Sequence, residues 1–212
     1  AAVVIRALVE RTQIDPHEIE EVYFGCANQA GEDNRNVARM ATLLAGLPVE
    51  TAAVTFNRLC ASGLTAVNMA VRAVRAGEGD VFIAGGVESM SRAPYSLPKA
   101  EKGFANGSLT AWDTSLGWRY PNPKMQETYG TEAMGETAEN IADQTGITRA
   151  EQDAFALRSH QRAVAAQERG DFDAELIAVP IPQRKGDPLL VQVDERPRHD
   201  TSLEALARLK PA

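Results

Sequence analysis

The sequence predicts an α/β protein built on a parallel sheet. Three observations carry that expectation: short β-branched runs alternate with segments of helical period, the connections between them are short, and the alternation stops after about residue 91. In chain order, residues 1–10 read as helix, with Val4, Ala7, Leu8 and Arg11 at helical spacing and no capping residue before them. Asp15-Pro16 is a cap followed by proline at the first helical position, opening a short turn before a strand from Glu21 to Cys26. A polar loop over 28–34 leads into a helix over 36–45, with Val37, Met40, Ala41 and Leu44 expected inward and Gly46 and Pro48 as its stop. The strand 51–56 then runs into Asn57-Arg58-Leu59-Cys60, where the backbone turns sharply and a helix begins on the cysteine. Leu64, Val67, Ala70, Val71 and Val74 recur along it at helical spacing, and it ends at Gly77. A last strand, 80–86, is apolar through its centre and is expected to be buried on both faces. Strands separated by helices in this way form right-handed parallel crossovers.

From about Ser91 to Thr131 no period is sustained, and Pro94, Pro98, Gly103, Gly107, Gly117, Pro121 and Pro123 interrupt any regular element. A connection of this length without structure of its own is uncommon unless it is functional. Helical patterns resume over 132–144 and, from the capping box Thr148 to Glu151, as far as Gly170. Residues 174–181 and 189–193 read as a hairpin about the turn Arg184 to Asp187, and a second capping box, Thr201 to Glu204, opens a closing helix to Lys210. The change of pattern divides the chain into domains at 1–91 and 92–212.

Composition bounds the function. With 212 residues, 44% hydrophobic and 24% charged, this is the make-up of an ordinary globular protein. No apolar run is long enough to span a membrane and no signal peptide opens the chain, so a cytoplasmic location is expected. Only two cysteines occur, Cys26 and Cys60, each at the end of a predicted strand; without a CxxC or clustered histidines, neither a disulfide framework nor a metal site is expected. A net charge of −7 disfavours nucleic acid and anionic membrane as partners. Residues 183–212 depart from that balance, with six basic against five acidic side chains, so an anionic ligand would find its partners late in the chain.

Cys60 is the residue with the most chemistry in its surroundings. A helix N-terminus carries unpaired N–H groups and the positive end of the macrodipole, both of which favour thiolate over thiol. Ala61, Ser62 and Gly63 are small and leave room for a bulky electrophile. The same pattern fits a cysteine used only as a small core hydrophobe, and local sequence leaves both open. For Cys26 the buried, structural role is expected.

Five separate stretches resemble the thiolases, the acetyl-CoA C-acyltransferases. They are Gly25 to Gly31, Asn57 to Gly63, Ala84 to Ser91, Met134 to Asn140 and Leu206 to Ala212, in family order over essentially the whole chain. The resemblance implies a thiolase-like layered α/β fold whose N-terminal half, 1–91, carries the nucleophile, followed by an inserted α+β loop domain over 92–212 that binds coenzyme A. It implies that Cys60 takes an acyl group from a thioester and that a second acyl-CoA, as its carbanion, attacks the acyl-enzyme. Run backwards, the reaction cleaves a 3-oxoacyl-CoA.

The resemblance further implies coenzyme A contacts at Met125, Met134 and Arg198, no tightly bound cofactor, coenzyme A as substrate or product, and a homodimer or homotetramer. Ala133 stands where some biosynthetic members have histidine, which leaves room for longer or dicarboxylic acyl groups. The family's Gly-His-Pro and Asn-Glu-Ala motifs, source of its base and further oxyanion donors, do not occur in these residues. The three histidines do not replace them: His17 and His160 are expected on the solvated surface, and His199, after Arg196 and Arg198, beside a nucleotide. The 212 residues are therefore expected to be part of a longer protein and not a complete catalyst. Two rivals are a 3-oxoacyl synthase, whose nucleophile lies in an Ala-Cys-Ser-Ser setting unlike Leu59-Cys60-Ala61-Ser62, and a non-catalytic coenzyme A binding fragment.

Overall fold

The computed structural model describes residues 1–33, 35–100, 103, 104 and 106–212; Asn34, Glu101, Lys102 and Ala105, all in stretches expected to be loop, lie outside the described residues. The chain forms two compact units, Ala1–Pro121 and Asn122–Ala212.

The first unit begins with α1, Ala2–Thr12, whose N-cap Ala1 makes no side-chain capping bond. A 3-10 turn at Pro16–Glu18 comes next, capped by Asp15 accepting from the His17 amide. Then come β1 (Glu21–Gly25), α2 (Val37–Ala45), β2 (Ala52–Phe56), α3 (Ser62–Ala76) and β3 (Phe82–Gly86). The three strands make a parallel sheet in the order β2-β1-β3, with Gly25 in register with both Phe56 and Gly86. Alternation along β1 builds two cores. Val22 and Phe24 pack with Ile5 of α1, Ala38, Ala41 and Ala45 of α2, and Ile83. Tyr23, on the other face, packs with Ala66, Ala70 and Ala73 of α3, and with Val54, Phe56 and Phe82.

Two expectations are corrected by this arrangement. The strand buried over all but its first residue is the central β1; β3 lies at an edge and is only partly buried. The inward faces of the helices are also rotated from the expected ones. α2 buries Ala38, Ala41, Thr42 and Ala45 while Met40 and Leu44 are exposed, and α3 buries Ser62, Ala66 and Ala73 while Leu64, Val67, Val71 and Val74 are exposed. Alanine faces let both helices sit close to the sheet, and apolar spacing alone does not distinguish a small face from a large one.

Residues 92–121 belong to the first unit by contact although their composition differs. Their anchors are a two-residue ladder of β4 (Tyr95–Ser96) with β5 (Trp112–Asp113), the buried Thr114 donating to Pro94 O, and Arg119 donating to Asn28 Oδ1 at 3.0 Å.

The second unit contains α4 (Pro123–Tyr129), α5 (Met134–Thr145), α6 (Arg149–Glu168), the antiparallel pair β6 (Val179–Ile181) and β7 (Leu189–Val191), and α7 (Leu203–Ala207). The Thr148 capping box forms as expected, with Glu151 returning to the Thr148 amide. α4 was not expected. Asn122 caps it through the Lys124 amide and Pro123 opens it, a start signal lying inside a stretch read as irregular. No described residue of this unit is buried.

Candidate active site

β2 ends at Phe56, and the next six residues fold into a tight turn held by two side chains. Asn57 Oδ1 accepts from the Leu59 amide at 2.7 Å, an Asx turn, while its Nδ2 donates to Ala27 O at 2.9 Å. Ser62, buried, accepts from the Arg58 amide at 2.8 Å and donates to Leu59 O at 2.6 Å. The Ala61 and Ser62 amides close on Arg58 O and Leu59 O. Between these bonds Leu59 is held at φ +49°, in the left-handed region that a leucine rarely adopts. Four of these six bonds are donated by backbone amides, those of Arg58, Leu59, Ala61 and Ser62; the Cys60 amide takes part in none of the six.

Cys60 is exposed. It does not head the helix as expected: Ala61 is the N-cap of α3 and Ser62 its first residue, so Cys60 stands immediately before the cap, at the positive end of the helix dipole. The turn is seated by Gly25. A Cβ there would lie 2.6 Å from Gly63 N and collide with the carbonyl carbon of Ser62, so only glycine lets the start of α3 rest on the end of β1.

Cys26 is 1% exposed and occupies a different setting. Its Sγ donates to Asp33 Oδ2 at 3.4 Å and lies 3.8 Å from Glu88 Oε1. Glu88 in turn accepts from the Ala27 and Asn28 amides at 2.8 and 3.1 Å. Burial, reinforced by the Glu88 and Asp33 carboxylates, pushes the Cys26 thiol up to about 11. The ligand atoms of Cys26, Asp33 and Glu88 lie within 4.8 Å of one another, a spacing that could hold a metal ion. Each is already engaged in the hydrogen bonds just described, which makes the cluster a polar box around a protonated thiol.

The other expected site residues lie in the second unit. Met125 is in α4 and 40% exposed; Met134, the first residue of α5, is 80% exposed. Arg198 is exposed, and its amide donates to His160 Nδ1 on α6 at 3.1 Å. His199 Nδ1 stands 3.9 Å from Glu168, and His17 is exposed in its turn. Among the described residues no hydrogen bond or ion pair joins Met125, Met134 and Arg198 to one another. The sequence pointed to no individual role for Gly25, Asn57, Asp33 or Glu88, and for Ser62 only to its small size beside Cys60. An asparagine two residues before a tight turn was the legible signal for Asn57; Glu88 and Asp33 could be placed only once the strand order was known.

Comparison with known proteins bears on this geometry. The family model described as "Thiolase, N-terminal domain" matches residues 1–212. The chain belongs to the thiolase family. It is 59% identical over 212 residues to a beta-ketoadipyl-CoA thiolase of Pseudomonas aeruginosa, covering 100% of this chain and 52% of that protein. A 3-oxoadipyl-CoA/3-oxo-5,6-dehydrosuberyl-CoA thiolase of Escherichia coli is 51% identical over 211 residues, covering 99% and 52%. Among solved structures, the acetyl-CoA acetyltransferase of Bacillus anthracis superposes with a TM-score of 0.84 at 37% identity, over 99% of this chain and 51% of that one. The chain thus spans about half the length of the thiolases it matches. No helix of the described residues is long and apolar enough to cross a membrane.

Proposed function

We propose that this chain supplies the nucleophile half of a thiolase-type acyltransferase, with Cys60 as the residue acylated. The observation that carries the proposal is the exposed thiol held on a fixed turn directly before the N-cap of α3, in a chain of thiolase family. As thiolate, Cys60 Sγ attacks the thioester carbonyl of an acyl-CoA. The carbonyl oxygen becomes an oxyanion that the Cys60 amide can meet; the tetrahedral centre then collapses, the new S–C bond stays on the enzyme, and coenzyme A leaves as thiolate and takes a proton from solvent. One thioester replaces another, so little free energy separates the two. The carbanion step needs a base and further oxyanion donors, which the family takes from motifs not found in these residues.

The names of the relatives favour a dicarboxylic 3-oxoacyl-CoA such as 3-oxoadipyl-CoA as the substrate cleaved, in keeping with Ala133 in place of a histidine. In this proposal residues 92–212 are the loop domain, Met125 and Met134 contact the pantetheine arm, and Arg198 contacts the nucleotide. A cytoplasmic homodimer or homotetramer acting in fatty or dicarboxylic acid metabolism is the matching context. Incubated with acetyl-CoA, the protein should gain one acetyl group, placed on Cys60 by peptide mass spectrometry and lost in Cys60→Ser. Acetyl found on Cys26, or persisting in Cys60→Ser, would overturn the assignment. For the nucleotide contact, Arg198→Ala should weaken coenzyme A binding in calorimetry by about 1.5–3 kcal/mol, the range for a hydrogen bond to a charged group.

A further inference from the structure

The geometry points to Asn57 as a positioning residue for Cys60, an inference that rests on Cys60 being the acylated thiol. One amide side chain makes two bonds with different jobs. Through Oδ1 it holds the Leu59 amide at 2.7 Å and so fixes a leucine at φ +49°. Without that bond the steric preference of a leucine is for negative φ, and the next peptide, which carries the Cys60 N–H, would rotate with it. Through Nδ2 it holds Ala27 O at 2.9 Å and so ties the turn to the loop leaving β1. That loop is itself fixed, because Glu88 accepts from the Ala27 and Asn28 amides. The Cys60 turn is therefore registered against the neighbouring strand end by a chain of bonds running from Glu88 through Ala27 to Asn57 and Leu59. Ser62 braces the same turn from the helix side, at Arg58 N and Leu59 O, but makes no described bond across to β1. Asn57 alone of the two carries the registration.

The consequence is a division between two reagents at one thiol. Acetylation by acetyl-CoA needs sulfur and amide aligned on one carbonyl, whereas iodoacetamide needs only an accessible thiolate. In Asn57→Ala, acetylation of Cys60 should slow at least tenfold, while alkylation by iodoacetamide at the same pH should stay within about threefold. Asn57→Asp keeps the acceptor for Leu59 N and loses the donor to Ala27 O, so it should fall between. Adding Leu59→Gly to Asn57→Ala should recover part of the acetylation rate, because glycine takes positive φ without a steric penalty; this response separates positioning from a general loss of fold, which thermal melting would register independently. Acetylation within twofold of the parent in Asn57→Ala, or equal slowing with both reagents and no recovery on adding Leu59→Gly, would overturn the inference while leaving Cys60 as nucleophile. A parent protein that does not acetylate at Cys60 would overturn the proposed function, and this inference with it.

Discussion

Cys26 and Cys60 follow neighbouring parallel strands whose last residues, Gly25 and Phe56, are in register, the first directly and the second four residues on, yet one is buried in a polar box and the other is exposed on a turn. Residue type is the same; the segment beyond the strand differs. β1 runs into a loop that folds Asp33 back on the thiol and receives Glu88 from beyond β3, so both nearby charges are negative. β2 runs into five residues stapled by Asn57 and Ser62 and then into the helix α3. The fold thus holds, side by side, a buried cysteine kept protonated among carboxylates and an exposed one on the turn before a helix.

The largest expected consequence is selectivity towards an electrophile. A thiol moved from its ordinary 9.0 to about 11 has roughly a hundredfold less thiolate at neutral pH, and burial adds the requirement that the loop open first. Iodoacetamide at pH 7.5 should label Cys60 at least a hundredfold faster than Cys26, with Cys26 reacting at the pace of Cys60 only in denaturant. Comparable native rates, followed by peptide mass spectrometry, would erase the distinction.

Next in size is the glycine that seats the start of α3 on the end of β1. Gly25→Ala forces the backbone of Ser62 and Gly63 away from β1, and a backbone neighbour cannot swing aside as a long side chain can. The expected loss is about 3 kcal/mol in denaturant unfolding, at the upper end of the usual overpacking range, together with slower acetylation of Cys60. An unchanged midpoint would mean that α3 does not need its close seat on the sheet.

Smaller again is the alkaline limb of stability. In the unfolded chain Cys26 ionises near its ordinary value, and in the folded chain near 11, so the unfolded state loses its proton first. The contribution is flat below about pH 9 and is lost as pH rises through 11, amounting to about 2.7 kcal/mol. Tyr23, pushed up to about 12 mainly by burial, adds a separate decline above its ordinary 10.0. The difference between parent and Cys26→Ala isolates the cysteine: the two unfolding curves should converge in slope below pH 9 and diverge between 9 and 11. Parallel curves throughout that window would mean that Cys26 is not held protonated.

Much of this contrast could be read in the sequence, and the remainder could not for identifiable reasons. β1, β2, α2, the turn at Pro16 and the Thr148 capping box fall within a residue or two of their expected places, because caps, prolines and glycines are local signals that tertiary packing did not override. The burial of Cys26 was expected, but the carboxylates around it and the exposure of Cys60 depend on strand order and loop return, which are not local. The helix faces failed for a related reason. Spacing marks Val37, Met40, Ala41 and Leu44 as one stripe, but a sheet that admits close helices selects Ala38, Ala41, Thr42 and Ala45. Asp33 and Glu88 are separated by more than fifty residues, and nothing in either segment announces that a buried thiol will lie between them.

The finest test concerns Arg119, which bonds to the loop after β1 and to neither thiol. Its Nη2 donates to Asn28 Oδ1 at 3.0 Å and its Nη1 to Thr114 O at 3.3 Å, joining the segment after β5 to the loop that closes the polar box. Asn28 keeps its amide bond to Glu88 when the arginine is replaced, so the loop loses one tie of several. Arg119→Met should therefore lower the stability of that loop by about 1 kcal/mol, within the range for a partly buried hydrogen bond. Because Cys26 can react only when the loop opens, its slow native-state labelling should rise about fivefold, the factor that 1 kcal/mol of local opening supplies. Cys60 depends on Ala27 O through Asn57 and on Ser62 from the helix side, neither of which Arg119 touches, so its labelling should stay within twofold. Labelling of both thiols under native conditions, timed against denatured controls, separates the outcomes. An equal rise at both positions would mean that the two strand ends open as one unit, and the independence of the two cysteines would have to be abandoned.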